Sequence, residues 1–270
     1  MRGVLFMADY ICLKIEGDIN VDGDLNKPVW QSANKSPRFI DVIDGAPALY
    51  DTRSALLWND NYLYAGFWCE EPYPKANITK RDSPLWLENE VEIFIDGGDT
   101  YYELQVNAIN NIYEAFYIWQ DAYKRDPRYR AEPDFDVIER DAIVFGGNHD
   151  RTDEYFWLGS HPRGKRWVFT NWDFPGLRTA VKIDGELNND EFVSRGWTVE
   201  LAFPWSGMRW LSGKSRLQPR NGEKRRFFLG RYEKLRIGGK AQPAFWAWDK
   251  IGTNDNHCPE KFTSVEFVAI

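Results

Sequence analysis

The chain is poor in the residues that carry redox, disulfide and metal chemistry, with only 3 cysteines, 3 histidines and 3 methionines among 270 residues. Cys12, Cys69 and Cys258 stand far apart with no CxxC pair, which indicates neither a zinc site nor a disulfide framework. Cationic excess is also missing: the net charge is -7 and the pI near 5.2, whereas a nucleic-acid partner asks for a basic face. No apolar run is long enough to span a membrane. The short stretch at residues 4–8 stops at Asp9 with no cleavage site after it. The expectation is a cytoplasmic protein, or a secreted or periplasmic one if a leader precedes this sequence. GxSxG, HExxH, Walker and dinucleotide fingerprints do not occur.

Large flat side chains are abundant, with 13 Trp and 13 Tyr, and these favour sheets and stacking surfaces. Short apolar or alternating runs recur at residues 54–58, 62–68, 91–95, 101–106, 112–118, 179–183, 197–203, 227–232 and 265–270. Between them stand turn signals: Asn59-Asp-Asn61, Asp96-Gly-Gly-Asp99, Asp184-Gly185 and Asn221-Gly222. Only residues 204–211 suggest a short helix, with Pro204 at its first turn. Many short strands and few helices predict an all-β antiparallel β-sandwich, jelly-roll or immunoglobulin-like, as one domain over 1–270. Residues from about 120 to 172 lose the periodicity and read as an inserted loop or lid.

The segment Trp86-Leu-Glu-Asn-Glu-Val-Glu-Ile-Phe-Ile-Asp96 joins an aromatic to an alternating strand. Successive strand side chains point to opposite faces, so Glu90, Glu92 and Phe94 share one face and Val91, Ile93 and Ile95 the other. Carboxylates beside a Trp suit a sugar, which needs a flat apolar ring for its C–H face and fixed partners for its hydroxyls. The plainer alternative is a solvated strand face over a packed loop Trp. Trp86, in a loop flanked by Pro and Asn, is expected to contact ligand, and Glu92 to be exposed. Trp30, Trp58, Trp68, Trp197 and Trp205 fall within or at the start of elements and read as core. Arg231 either clamps sugar hydroxyls with its donor fork or pairs with a carboxylate.

Several phrases in order resemble the family 9 carbohydrate-binding modules. Val21-Asp-Gly-Asp-Leu-Asn-Lys-Pro-Val-Trp30 resembles the family's opening, and residues 57–67 its first hairpin. Residues 86–96 and 101–107 are similar to its next two strands, Gly196-Trp-Thr-Val-Glu-Leu-Ala-Phe-Pro-Trp205 to a later one, and His257-Cys-Pro-Glu-Lys-Phe262 to its close. The resemblance implies a β-sandwich that binds a mono- or oligosaccharide between aromatic side chains, without catalysis and in polysaccharide or oligosaccharide breakdown. It places Trp86 at one stacking face, Glu92 at the acidic position of the following strand, and Gln105 and Asn107 at the polar positions of the next. Gln105 replaces a basic residue of some members. His257, after the turn Asn254-Asp-Asn256, stands where characterised modules carry their second stacking Trp; Asn254 and His257 are candidate sugar contacts, His257 being equally readable as a structural histidine, and Trp248, Trp172 or Trp157 could supply the second face. Structural calcium in some members implies oxygen ligands, with Glu70, Glu71, Asp96 and Asp99 as candidates and no organised loop.

Two other functions keep a foothold. Glu90 and Glu92 stand about 6.6–7 Å apart along a strand, a spacing that a glycoside hydrolase could use. A haem-binding or redox sandwich would need axial ligands, for which His149, His161, His257 and the methionines are the candidates.

Overall fold

A computed structural model describes residues 10–146, 161–213 and 216–269. Its strands are β1 (Tyr10–Lys14), β2 (Ile40–Asp41), β3 (Thr52–Trp58), β4 (Tyr62–Glu70), β5 (Glu90–Asp96), β6 (Thr100–Asn107) and β7 (Ile112–Trp119). Then follow β8 (Ile143–Phe145), β9 (Arg166–Phe169), β10 (Arg178–Asp184), β11 (Gly196–Pro204), β12 (Lys224–Ile237), β13 (Lys240–Ala247) and β14 (Thr263–Val268). The helices are short: α1 (Pro28–Gln31), α2 (Gln120–Arg125) and α3 (Pro127–Ala131).

Local chemistry sets the hairpins. Between β3 and β4 the Asn59 carboxamide accepts the backbone N–H groups of Asn61 and Tyr62, each at 2.8 Å. Between β5 and β6 Asp96 accepts the Gly98 N–H at 2.8 Å. Gly238 and Gly239 turn β12 into β13 with φ of +59° and +77°, a two-residue turn that side chains resist.

The strands run in the order β10-β11-β4-β3-β1-β14-β12-β5-β6-β7-β9-β8, with β13 and β2 beside β12. Pairing is antiparallel except at β1, which runs parallel to both β3 and β14. The two halves of this path face each other as a sandwich. Tyr102, opposite Ile95 in the register, meets Phe203 of β11 with 6.4 Å between ring centroids. Val91, Ile93 and Ile95 therefore point into the sandwich, and Glu90, Glu92 and Phe94 lie on the outer face of the β12-β5-β6-β7 half.

Among the tryptophans expected in the core, Trp30, Trp58, Trp197 and Trp205 are buried, but Trp68 is half-exposed with Lys35 Nζ 4.1 Å from its ring centroid. Residues 204–211 give a short 3₁₀ helix of two turns at Trp205–Trp210. The segment from 120 to 172 is more structured than its composition suggested. It supplies α2, α3, and the strands β8 and β9 that extend the sheet beyond β7. Trp157 and His149 lie outside the described residues.

Candidate functional site

Register builds the site. Glu92 stands opposite Gln105 on β6 and Gly230 on β12, and Gln105 stands opposite Tyr113 on β7. One step along, Glu90 lies between Asn107 and Tyr232. Two segments cover this outer face. From one side the turn at Leu85–Leu87 brings Trp86, half-buried, edge-on to Tyr113 at 5.1 Å between centroids and 82° between planes. From the other side the 255–257 turn brings Asn256, whose carboxamide donates to Glu92 Oε1 at 2.7 Å. Gly230 is required beneath them, because a Cβ there would sit 2.9 Å from Glu92 Oε1 and 2.7 Å from the Phe228 ring.

The covering segments explain why Glu92 is buried, not exposed as its alternation suggested: it is 3% accessible, and Glu90 0%. Burial, the neighbouring Glu92 and Glu103 charges after it, pushes the Glu90 carboxyl well above the usual carboxylate range. Burial and then Glu103 do the same to Glu92, against the Asn256 hydrogen bond. Glu103 is pushed up to about 7 by burial, although it accepts from the Tyr117 hydroxyl at 2.5 Å and the Gln105 amide at 2.8 Å. Glu90 Oε1 and Oε2 and Gln105 Oε1 are buried with no hydrogen-bond partner.

Other expected site residues are placed elsewhere or given other tasks. Asn107 is fully buried, and its carboxamide donates to Ile78 O and Glu88 and accepts from the N–H groups of Ile109 and Asn111. It ties the segment before Trp86 to the β6–β7 turn and has no capacity left for a ligand. Arg231 points into the sandwich, opposite Val91, and bonds to Thr52 Oγ1, Glu70 O, Glu71 and Glu233 at 2.7–3.0 Å. It pairs with carboxylates on the face away from the site and clamps no sugar there. Trp172 is buried among Tyr102, Phe116 and Phe174, and Trp248 packs on Tyr10 at 5.3 Å, so neither is the second stacking face. His257 is enclosed by Phe94, Tyr101, Tyr117 and Phe145, its Nδ1 3.2 Å from the Tyr101 hydroxyl. Burial, with the Arg166 charge second, holds its pKa well below the usual value. Asn254 is exposed.

Tyr113 and Asn256 are the members that sequence reasoning missed. Tyr113 was legible through register alone, by carrying the row Glu92–Gln105 across the next hairpin. Asn256 stood in the turn already singled out, two residues past the asparagine chosen.

The four carboxylates considered for calcium do not converge. Glu70 accepts the Asp51 N–H, Glu71 pairs with Arg231, Asp96 with Arg226, and Asp99 with Arg125 and Arg163. Among the described residues the one metal-compatible group is His161, Cys258 and Glu260, a nitrogen, sulfur and oxygen set unlike the all-oxygen shell calcium takes. His161 Nδ1 accepts the Arg163 N–H at 3.1 Å, which leaves the proton on Nε2 facing Glu260 at 3.0 Å. With His257 boxed by rings and His161 committed to Glu260, neither histidine stands ready as an axial haem ligand. A groove of about 540 Å³ lies apart from the site, on the outer face around Trp68. Arg53 there pairs with Asp51 at 3.2 Å and Lys182 with Asp24 at 2.8 Å, while Lys35 lies over the Trp68 ring.

Comparison with solved structures matches this architecture over nearly its whole length. A family 9 carbohydrate-binding module from Caldicellulosiruptor kristjanssonii, in complex with cellotriose, aligns with a TM-score of 0.52 over 97% of this chain and 94% of that one. The fold is that of the family 9 carbohydrate-binding modules. Identity in that alignment is 15%. A family 9 module from the same organism in complex with glucose gives a TM-score of 0.51 at 16% identity, over 96% of each chain. A protein from Bacteroides uniformis gives 0.55 at 15% identity, over 95% of this chain and 97% of its own. No family model and no curated protein matches the sequence.

Proposed function

We propose that this protein binds carbohydrate without transforming it, as a recognition component of polysaccharide or oligosaccharide breakdown. The observation that carries the reading is the half-buried Trp86 ring, fixed edge-on by Tyr113 above a row of Glu92, Gln105 and Asn256. A fixed ring offers an apolar face to sugar C–H groups at little entropic cost, and the row beside it offers acceptors to hydroxyls. That modules of this fold hold glucose and cellotriose supports the same reading.

The titration of the carboxylates favours binding over hydrolysis. A glycosidase needs one protonated acid and one ionised carboxylate across the bond. Here burial raises Glu90, Glu92 and Glu103 together, so no environment separates their roles. Isothermal titration with glucose, cello-oligosaccharides and a broader glycan panel tests the proposal. Micromolar to millimolar binding without product formation is expected, and silence across the panel from folded protein would sink it.

A further inference from the structure

The floor of the site is one-sided in its hydrogen bonding. Glu90 presents two buried carboxyl oxygens without a partner, and Gln105 a third acceptor. Glu92 receives one donor, from Asn256, and Glu103 receives the Tyr117 hydroxyl and the Gln105 amide. Among the described residues no ion pair reaches Glu90, Glu92 or Glu103. Arg231, the cation whose field acts on Glu90, lies on the other face of the sheet, held there by Glu71 and Glu233. The titratable groups facing Glu90 and Glu92 are thus Glu103 on β6, Tyr113 on β7 and Tyr232 on β12. Trp86, Tyr232 and Asn256 are half-buried around this floor.

Such a floor lacks positive charge. A hydroxyl brings a single donor, whereas an ammonium brings three and a charge that the carboxylates can share. A ligand carboxylate or sulfate would add a further negative charge to a buried cluster that already resists ionisation. Resting on the sugar-binding reading, we infer that the ligand is an amino sugar, its ammonium taken by Glu90 and Glu92, and that the site rejects acidic sugars. Burial raises both carboxyls, so an ammonium that draws a protonated one into its ionised form does so with release of a proton to solvent: a carboxylic acid and an ammonium become a carboxylate–ammonium pair and a free proton.

The intact protein is titrated at pH 7 with glucose, glucosamine, N-acetylglucosamine and glucuronic acid, in two buffers of different ionisation enthalpy. The inference expects glucosamine to bind about tenfold or more tighter than glucose, a difference of about 1.4 kcal/mol. It also expects proton release on glucosamine binding alone, and no detectable binding of glucuronic acid. N-acetylglucosamine, of similar shape without the charge, loses the advantage. Glu90→Gln erases the glucosamine preference, so that glucosamine binds no tighter than glucose to the variant. If that variant does not fold, the N-acetylglucosamine comparison on the native protein carries the test. Glucose binding with no preference for glucosamine, or with glucuronic acid equal to glucose, overturns the inference and leaves the sugar-binding reading standing. Calcium chloride that raises the melting temperature and blocks glucosamine would assign these acceptors to a metal ion and overturn it too. Failure of every sugar to bind overturns both.

Discussion

Trp86 stands edge-on against Tyr113, 5.1 Å between ring centroids, and this contact joins a loop to the outer face of β7. The ring is neither free in solvent nor part of the core. Its substitution therefore separates recognition from folding only in part, and the size of each effect can be set in advance.

Trp86→Ala removes the stacking face and the edge-on pair together. Sugar binding should fall below detection. Stability should drop by roughly 1–2 kcal/mol, from the half-buried ring and its aromatic contact. Paired titration and thermal unfolding check this. A loss near the roughly 3–5 kcal/mol of a core aromatic would remove Trp86 from the site.

Arg231→Ala should behave in the opposite way. Its guanidinium bridges Glu71 and Glu233 inside the sandwich, so removal strands two buried carboxylates. A destabilisation of roughly 3–5 kcal/mol is expected. At temperatures where the variant is still folded, affinity for sugar should stay within about threefold. A selective loss of affinity with native stability would return Arg231 to the site.

These two residues show what the sequence could and could not tell. The alternation of residues 90–96 placed Glu90 and Glu92 on a common face, and the nine runs singled out each fall on a strand of the sandwich. Strand β13 escaped because Pro243 interrupts it and its first half is exposed, leaving no alternation to read. Strand β1 escaped because Ile11 stands on its exposed side, so the buried Tyr10 and Cys12 alternate with no polar neighbour. Glu92 was expected to be exposed because a strand pattern does not reveal that a turn more than 160 residues later folds over it. Arg231 was left between two roles, and Trp172 counted among the candidate stacking faces, for the same reason: which face an isolated residue occupies follows from register, and which aromatics it meets follows from chain return. Both are tertiary facts.

Gly230→Ala tests the geometry beneath Glu92. The added methyl would fall within 2.9 Å of Glu92 Oε1 and 2.7 Å of the Phe228 ring. The carboxylate must shift from under Asn256 for the methyl to fit. Overpacking of this kind costs about 1–3 kcal/mol, and sugar affinity should weaken at least tenfold, by about 1.4 kcal/mol. Unchanged affinity would mean that Glu92 is not held in place for a ligand.

Glu103 gives the site a pH signature in stability. Its carboxyl is held at about 7 in the folded chain against a reference of 4.5, so between those values the folded state keeps a proton that the unfolded state has released. Stability therefore falls as pH rises through this window, and the loss is complete above about pH 7. The full effect is roughly 3 kcal/mol, from about 1.4 kcal/mol per pK unit. His257 acts on the acid side: held neutral below its usual value of 6.5, it costs stability as pH drops below 6.5 and the unfolded chain takes up the proton the folded one refuses. Glu103→Gln should remove only the first effect. The new amide can still accept from the Tyr117 hydroxyl, and a flip of the Gln105 amide lets its unpartnered oxygen meet the new donor. Denaturant unfolding at pH 5 and pH 8 should show the difference between the two pH values shrink by roughly 2–3 kcal/mol in the variant. The loss of stability below pH 6.5 should persist. An identical pH dependence in both proteins would show that Glu103 is ionised, and therefore solvated, in the folded state.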